Sequence, residues 1–152
     1  DHWFWATKPN AREKASFLKE NLLPMQESGQ LRFIDRKNKT YLTNSELGFD
    51  ILFVDGHTDK QMIPHVHYKE KTVVFVADLL PTVGHIPLPY VIGYDTRPLL
   101  TLEEKGRFLD EAVANEHVLV FEHDAHNELC TLKETEKGAR LNELFTFNEL
   151  FN

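Results

Sequence analysis

Eight histidines in 152 residues, unevenly spread, are the first place to look for chemistry. His57 sits in Asp55-Gly56-His57-Thr58, directly after the apolar run 49–54. Asp78 closes the β-branched run 72–77, and His123 closes the run 117–121 in Phe121-Glu122-His123-Asp124. Two imidazoles and a carboxylate suit Zn²⁺, or Fe or Mn with additional oxygen ligands. Each residue alone is a weak signal, since a loop His or a strand-end Asp is commonly a turn-former or a solvated group. Their shared position carries the weight: all three follow predicted buried strands, and strand tips in α/β sheets converge on one rim where sites are built.

Elements to hold those tips are readable along the chain. Ala11, Ala15, Leu18 and Leu22 recur at helical spacing after Pro9 and Asn10, predicting an amphipathic helix that Pro24 closes. Short strand-like pieces follow at 31–34, 41–43 and 49–54, broken by Asn and Gly, and 63–68 alternates. The run 72–77 (Thr-Val-Val-Phe-Val-Ala) reads as a strand buried on both faces. Thr101-Leu-Glu-Glu104 has the pattern of a capping box and is expected to open a helix with Leu102, Phe108, Leu109, Ala112 and Val113 inward. Residues 129–135 and 139–147 flank Glu-Lys-Gly as a hairpin. Strands and helices interleave with no repeat or linker, so the expectation is one α/β domain, or part of one.

Composition narrows the function classes. There are 24 acidic and 17 basic residues, giving a formal charge of −7, which argues against a duplex nucleic-acid surface built from clustered Lys and Arg. Hydrophobic residues at 41% and charged residues at 27% are the balance of a folded domain rather than a disordered one. No apolar run approaches the roughly 18 residues of a membrane span. The lone Cys130 excludes an intrachain disulfide and fits a reducing, cytoplasmic compartment. The chain opens on Asp1 without Met, and Trp3-Phe4-Trp5 belongs in a core or interface, so a preceding segment is expected.

Gly56-His57-Thr58, Ala77-Asp78-Leu79 and Glu122-His123-Asp124 together resemble the later half of the metallo-β-lactamase fold. The likeness extends to that superfamily's generic hydrolases through residues 78–85 (Asp-Leu-Leu-Pro-Thr-Val-Gly-His), Tyr94-Asp95-Thr-Arg-Pro98 and residues 101–105. The resemblance implies the C-terminal half of a four-layer αββα sandwich, with a mixed sheet and helices on one face. It implies two divalent metals, zinc first and Fe or Mn as alternatives, with a hydroxide held between them as nucleophile. His57 would complete the first metal's imidazoles, Asp78 would bridge, and His123 would complete the second. His123 is preferred over His126 because the family places its ligand just before Asp. His85 resembles a position at the active-site mouth and would bind substrate or anchor its loop.

The family signature His-x-His-x-Asp-His does not occur in the chain; Asp1-His2 only superficially matches its tail. The expectation is that it lies upstream, leaving this chain alone with an incomplete site, one weakly held ion or none, and no activity. Partners implied are the N-terminal half of the same domain and a small-molecule substrate (ester, lactone, thioester or phosphodiester), with self-association into a homo-oligomer if the half stands alone. The alternative function is a non-catalytic domain of the same shape with a vestigial or structural metal site. Among the other candidates, His65 and His67 share a strand face read as solvated, and His65-x-His67-x-x-Glu70 only faintly resembles a cupin metal motif. His117 is read as structural and Cys130 as a small buried hydrophobe. Glu103, Glu104, Lys105 and Arg107 are read as a solvated helix face. Asp124 is a reserve ligand along with His85 and His126.

Overall fold

β-Branched and aromatic alternation after residue 40 resolves, in a computed structural model, into seven strands among the described residues, hydrogen-bonded in chain order. They are β1 (Tyr41–Leu42), β2 (Asp50–Val54), β3 (Gln61–Tyr68), β4 (Lys71–Phe75), β5 (Val118–Val120), β6 (Leu129–Lys133) and β7 (Arg140–Phe145). Among the described residues four α-helices accompany them: α1 (His2–Thr7), α2 (Lys19–Glu27), α3 (Pro98–Ala114) and α4 (Phe147–Phe151). The structure describes residues 2–36 and 38–152; Asp1 and Lys37 lie outside the described residues, and with Asp1 the first half of the superficial Asp1-His2 match.

Neighbouring strands are antiparallel except β4 and β5, which pair in parallel with Val73 opposite Val118 and Phe75 opposite Val120. The crossover between them contains α3. Its apolar stripe, Phe108, Leu109 and Ala112, packs on the sheet face carrying Val54, Ile63, Val74, Val76 and Leu119. The helix ends in paired backbone bonds, Glu116 N–H to Val113 O and His117 N–H to Ala112 O, with Glu116 in the left-handed region at φ +51°. That turn swings His117 back beneath the helix.

Several sequence expectations change. The stretch 11–16 forms turns, not a helix; α2 begins only at Lys19 and contains Pro24 at its sixth position, where the ring removes one donor without ending the helix. Residues 31–34 form no strand, although Phe33 packs edge-to-face on Trp3 of α1. The strand at 72–77 is buried on one face only: Val74 and Val76 are fully covered by the α3 side, while Phe75 stays 37% exposed on the other. A parallel strand is buried twice only where both faces carry a cover. Thr101 is not an N-cap, because Pro98 already starts the helix; Thr101 is interior and Glu104 is diverted elsewhere.

Glu104 turns back to the tip of β2. Its carboxylate accepts Asp55 N–H at 2.8 Å and Gly56 N–H at 2.9 Å. Lys105 is fully buried, and its ammonium donates to the carbonyls of Pro87, Leu88 and Tyr90 at 2.9, 3.2 and 2.8 Å. Burial pulls its pKa down to about 8. Neither residue belongs to a solvated face: charge at i and i+1 of a helix covers both the side and the underside, and here three carbonyls and two amides make burial possible.

Gly56 fits only because it lacks a side chain. A Cβ there would stand 2.5 Å from the Thr101 backbone nitrogen. Gly56→Ala is therefore expected to cost about 1–3 kcal/mol, since α3 cannot recede without losing Glu104's bonds. Urea unfolding of the two proteins measures it.

Candidate metal centre

Direction decides what the strand tips share. β2 is antiparallel to β3, β3 to β4, and β4 is parallel to β5, so β2, β4 and β5 all run the same way. Their C-terminal ends lie on one rim. His57 follows β2, Asp78 lies in a 3₁₀ turn (Ala77–Leu79) after β4, and His123 follows β5. Ala77, directly before Asp78, is held at φ +43°, a conformation that costs an alanine energy and persists because its surroundings impose it.

The structure brings the three residues together. Asp78 Oδ1 lies 3.1 Å from His123 Nε2, and its other oxygen lies 3.6 Å from His57 Nε2. A single carboxylate thus faces two imidazoles, each delivered by a different strand. His57 Nδ1–H donates to Asp95 Oδ1 at 3.0 Å, since a carboxylate can only accept, and this turns Nε2 toward Asp78. Burial opposes charging His57. The hydrogen bond to Asp95 and the negative charges of Asp78 and Asp95 outweigh it, and the pKa stands above the ordinary histidine value. Glu122 joins at the open side, where donor atoms of Asp78, Glu122 and His123 lie within 4.8 Å of one another.

These groups border a cavity of about 910 Å³ that His85, Tyr94 and His2 also line. His85 Nδ1 meets the Thr82 hydroxyl at 2.9 Å, which satisfies one ring nitrogen and leaves the other to the cavity. Burial and the Lys105 charge hold its pKa below the usual value, so the ring is neutral near pH 7. Asp124 does not turn to the cluster. It accepts Val83 N–H on one oxygen and the His126 and Asn127 N–H groups on the other, pinning the 82–85 loop beside the His123 loop. These bonds overcome burial and lower its pKa. His126 stays exposed on that loop.

Three further residues take a part here that the sequence did not assign to them. Asp95, whose second oxygen is buried without a partner, orients His57. Glu122 adds a carboxylate. Glu13, buried in the turns before α2, accepts the Thr58 hydroxyl at 2.6 Å and the Asn10 amide. Asp95 and Glu122 both stand within stretches that carry the family resemblance, 94–98 and 122–124, whereas nothing marks Glu13.

The donor set fits divalent ions of the zinc class: imidazole and carboxylate ligands, one imidazole fixed through its far nitrogen by a carboxylate. Three such side chains fall short of the four ligands that an ion of this class takes. No protein-family model and no curated protein matches this chain. Solved structures do match it in fold. A probable metal-dependent hydrolase from Staphylococcus aureus superposes with TM-score 0.75 at 20% identity, over 94% of this chain and 48% of that one. The hydrolase AbOPH, in the β-lactamase superfamily, gives 0.72 at 17% identity over 94% and 52%. AidC, a dizinc quorum-quenching lactonase in complex with a product, gives 0.65 at 20% over 95% and 53%. The chain therefore has the β-lactamase-type mixed α/β fold and spans about half the length of these structures.

Replacing Asp95 by Asn removes both the charge and the strongest acceptor beside His57. The His57 ring is then expected to titrate at lower pH, read by two-dimensional NMR of the imidazole resonances. The sign follows for stability: with the folded pKa raised, the pair stabilises fully below the unfolded value near 6.5 and less as pH rises through the folded pKa. Asp95→Asn should accordingly lose more stability at pH 6 than at pH 8.

Proposed function

We propose that this chain is the C-terminal half of the single domain of a metal-dependent hydrolase, with His57, Asp78 and His123 as ligands of a dinuclear centre. The observation that carries the reading is Asp78, whose two oxygens face imidazoles from two different strands, the arrangement a bridging carboxylate requires. The remaining ligands are assigned to a His-x-His-x-Asp-His stretch upstream of residue 1.

Bound divalent ions, zinc first, supply Lewis acidity and a water of lowered pKa. The chain's own residues do the rest. Asp95 holds His57 with Nε2 inward. Glu13 and Thr58 fix the far side of the His57 loop. His85, neutral and anchored at Nδ1, donates from its other nitrogen to a substrate oxygen. The cavity takes a small molecule: an ester, lactone, thioester or phosphodiester. Function follows the site rather than the fold, and the lactonase among the fold neighbours supports testing lactones first. The single, buried, unpaired Cys130 is in keeping with a cytoplasmic setting. Among the described residues no helix is long and apolar enough to cross a membrane.

The partner half has a surface to meet. Met62 and Val66 on β3 and Phe75 on β4 point away from α3 and are 46%, 42% and 37% exposed. An apolar sheet face of this kind suits a second sheet packed against it.

In a protein that includes the preceding segment, Asp78→Ala is expected to lose bound metal and to lower kcat/KM by more than about 100-fold, beyond the usual loss for an indirect partner. Metal analysis and a substrate panel measure both. Hydrolysis unaffected by Asp78→Ala would refute the assignment, and a folded, metal-free, inactive protein would favour the non-catalytic alternative. Residues 1–152 alone are expected to self-associate through the open face, as seen by light scattering. A cooperatively melting monomer would show that the chain covers its own sheet.

A further inference from the structure

A second cluster of ligand-type side chains lies at the opposite end of the sheet. His65 on β3, Glu111 on α3 and His117 at the entry to β5 each bring a donor atom within 4.8 Å of the others. His117 and His123 stand at the two ends of β5, up to about 20 Å apart at about 3.3 Å per extended residue. The two clusters share no residue. His65 shows no solvated face: it is fully buried on the α3 side of an inner strand, while His67, on the same face but nearer the strand's end, is exposed and pairs with Asp50 at 3.0 Å. Register explains the difference, because His65 lies opposite Val74 under the helix and His67 lies opposite Thr72 beyond its end.

Two independent features point to a ligand. First, His65 Nδ1–H donates to Ile63 O at 3.0 Å, so in the neutral ring Nε2 carries a bare lone pair. That Nε2 is buried without a hydrogen-bond partner, and so is His117 Nδ1. A ring that gives one N–H to a backbone carbonyl and turns its other nitrogen on an enclosed space is oriented as metal-ligating histidines are. Second, the two rings stand 5.5 Å apart, nearly perpendicular, and neither bonds the other. Burial lowers both pKa values, that of His117 to about 4, so both rings are neutral and available as ligands at physiological pH. Glu111, only partly buried, supplies the negative charge and reaches the edge of a cleft of about 420 Å³ that Tyr41 and Arg107 also border.

We propose that His65, Glu111 and His117 form a second, structural site for a divalent ion of the zinc class, which clamps the C-terminal end of α3 to β3 and β5. Two imidazoles and a carboxylate are three zinc ligands, and the cleft beside Glu111 admits a water as the fourth and gives the ion its way in. Zn–N distances of about 2.0–2.1 Å ask the donor atoms to close somewhat from their present spacing, a movement that side-chain rotation supplies.

The test uses zinc itself on the protein carrying Asp78→Asn and His123→Asn, which silences the first cluster. One equivalent of zinc is expected to remain after desalting, with a rise in melting temperature. Cobalt substituted for it should show the intense visible bands of a four-coordinate site. Adding Glu111→Gln, a change on a half-exposed helix position, should weaken zinc binding by at least about tenfold with the circular dichroism unchanged. The imidazole NMR signals of His65 and His117 should move on zinc addition in the Asp78→Asn/His123→Asn protein. No zinc retained there, or zinc retained equally after Glu111→Gln with both imidazoles unmoved, overturns the proposal and leaves the orphaned nitrogens to interior water.

Discussion

Glu104 reaches from the second turn of α3 to the backbone N–H groups of Asp55 and Gly56, and the rim of the sheet is set by that contact. A carboxylate so enclosed resists ionisation: burial raises its pKa, and the two backbone donors only partly bring it back. The pair of N–H groups has no other acceptor, so helix and strand tip hold each other in place. Around it run further bonds from the same region, Arg97 N–H to Gly56 O and the Thr96 hydroxyl to His57 O. Lys105, one residue on, does the same for the loop at 87–90. The first half of α3 therefore acts as a frame from which the loop bearing His57, and the walls of the cavity, are hung.

Fixing the His57 loop fixes the electrostatics. Asp95 can meet His57 only because Asp95 N–H and Thr96 N–H are themselves bonded, to Ile92 O and His57 O. The imidazole is then held between two carboxylates, one buried and one at the rim, and its proton affinity rises. A fold does not by itself fix a chemistry, so the side chains along the cavity, rather than the sheet, determine what this site can do.

Much of this was legible in the sequence. Apolar runs ending in His57, Asp78 and His123 could be read because strand burial has a strong pattern and a tip residue is the first polar one after it. Asp95 stands in a stretch that carries the family resemblance, but its role could not be read: it depends on a loop 38 residues along the chain folding over His57, and no periodicity encodes that. Glu104 and Lys105 look like any exposed pair on a charged helix, since the acceptors and donors that let them be buried belong to other segments. Thr101 and Glu104 had the spacing of a capping box, but Pro98 started the helix a turn earlier. Alternation placed His65 and His67 on one face without revealing that α3 covers only the first of them.

Strand order that follows chain order has a kinetic meaning. Five of the six pairings among these strands close through a neighbouring turn or short loop, whereas the parallel pair β4–β5 must close across residues 76–117. Closing that long segment carries the largest entropic cost in the sheet, and contacts of large sequence separation are what slow folding. The same pairing brings Asp78 beside His123. The chain's most remote strand contact and the juxtaposition of these two rim side chains are thus one event, so a partly folded chain with its hairpins formed would still hold them apart.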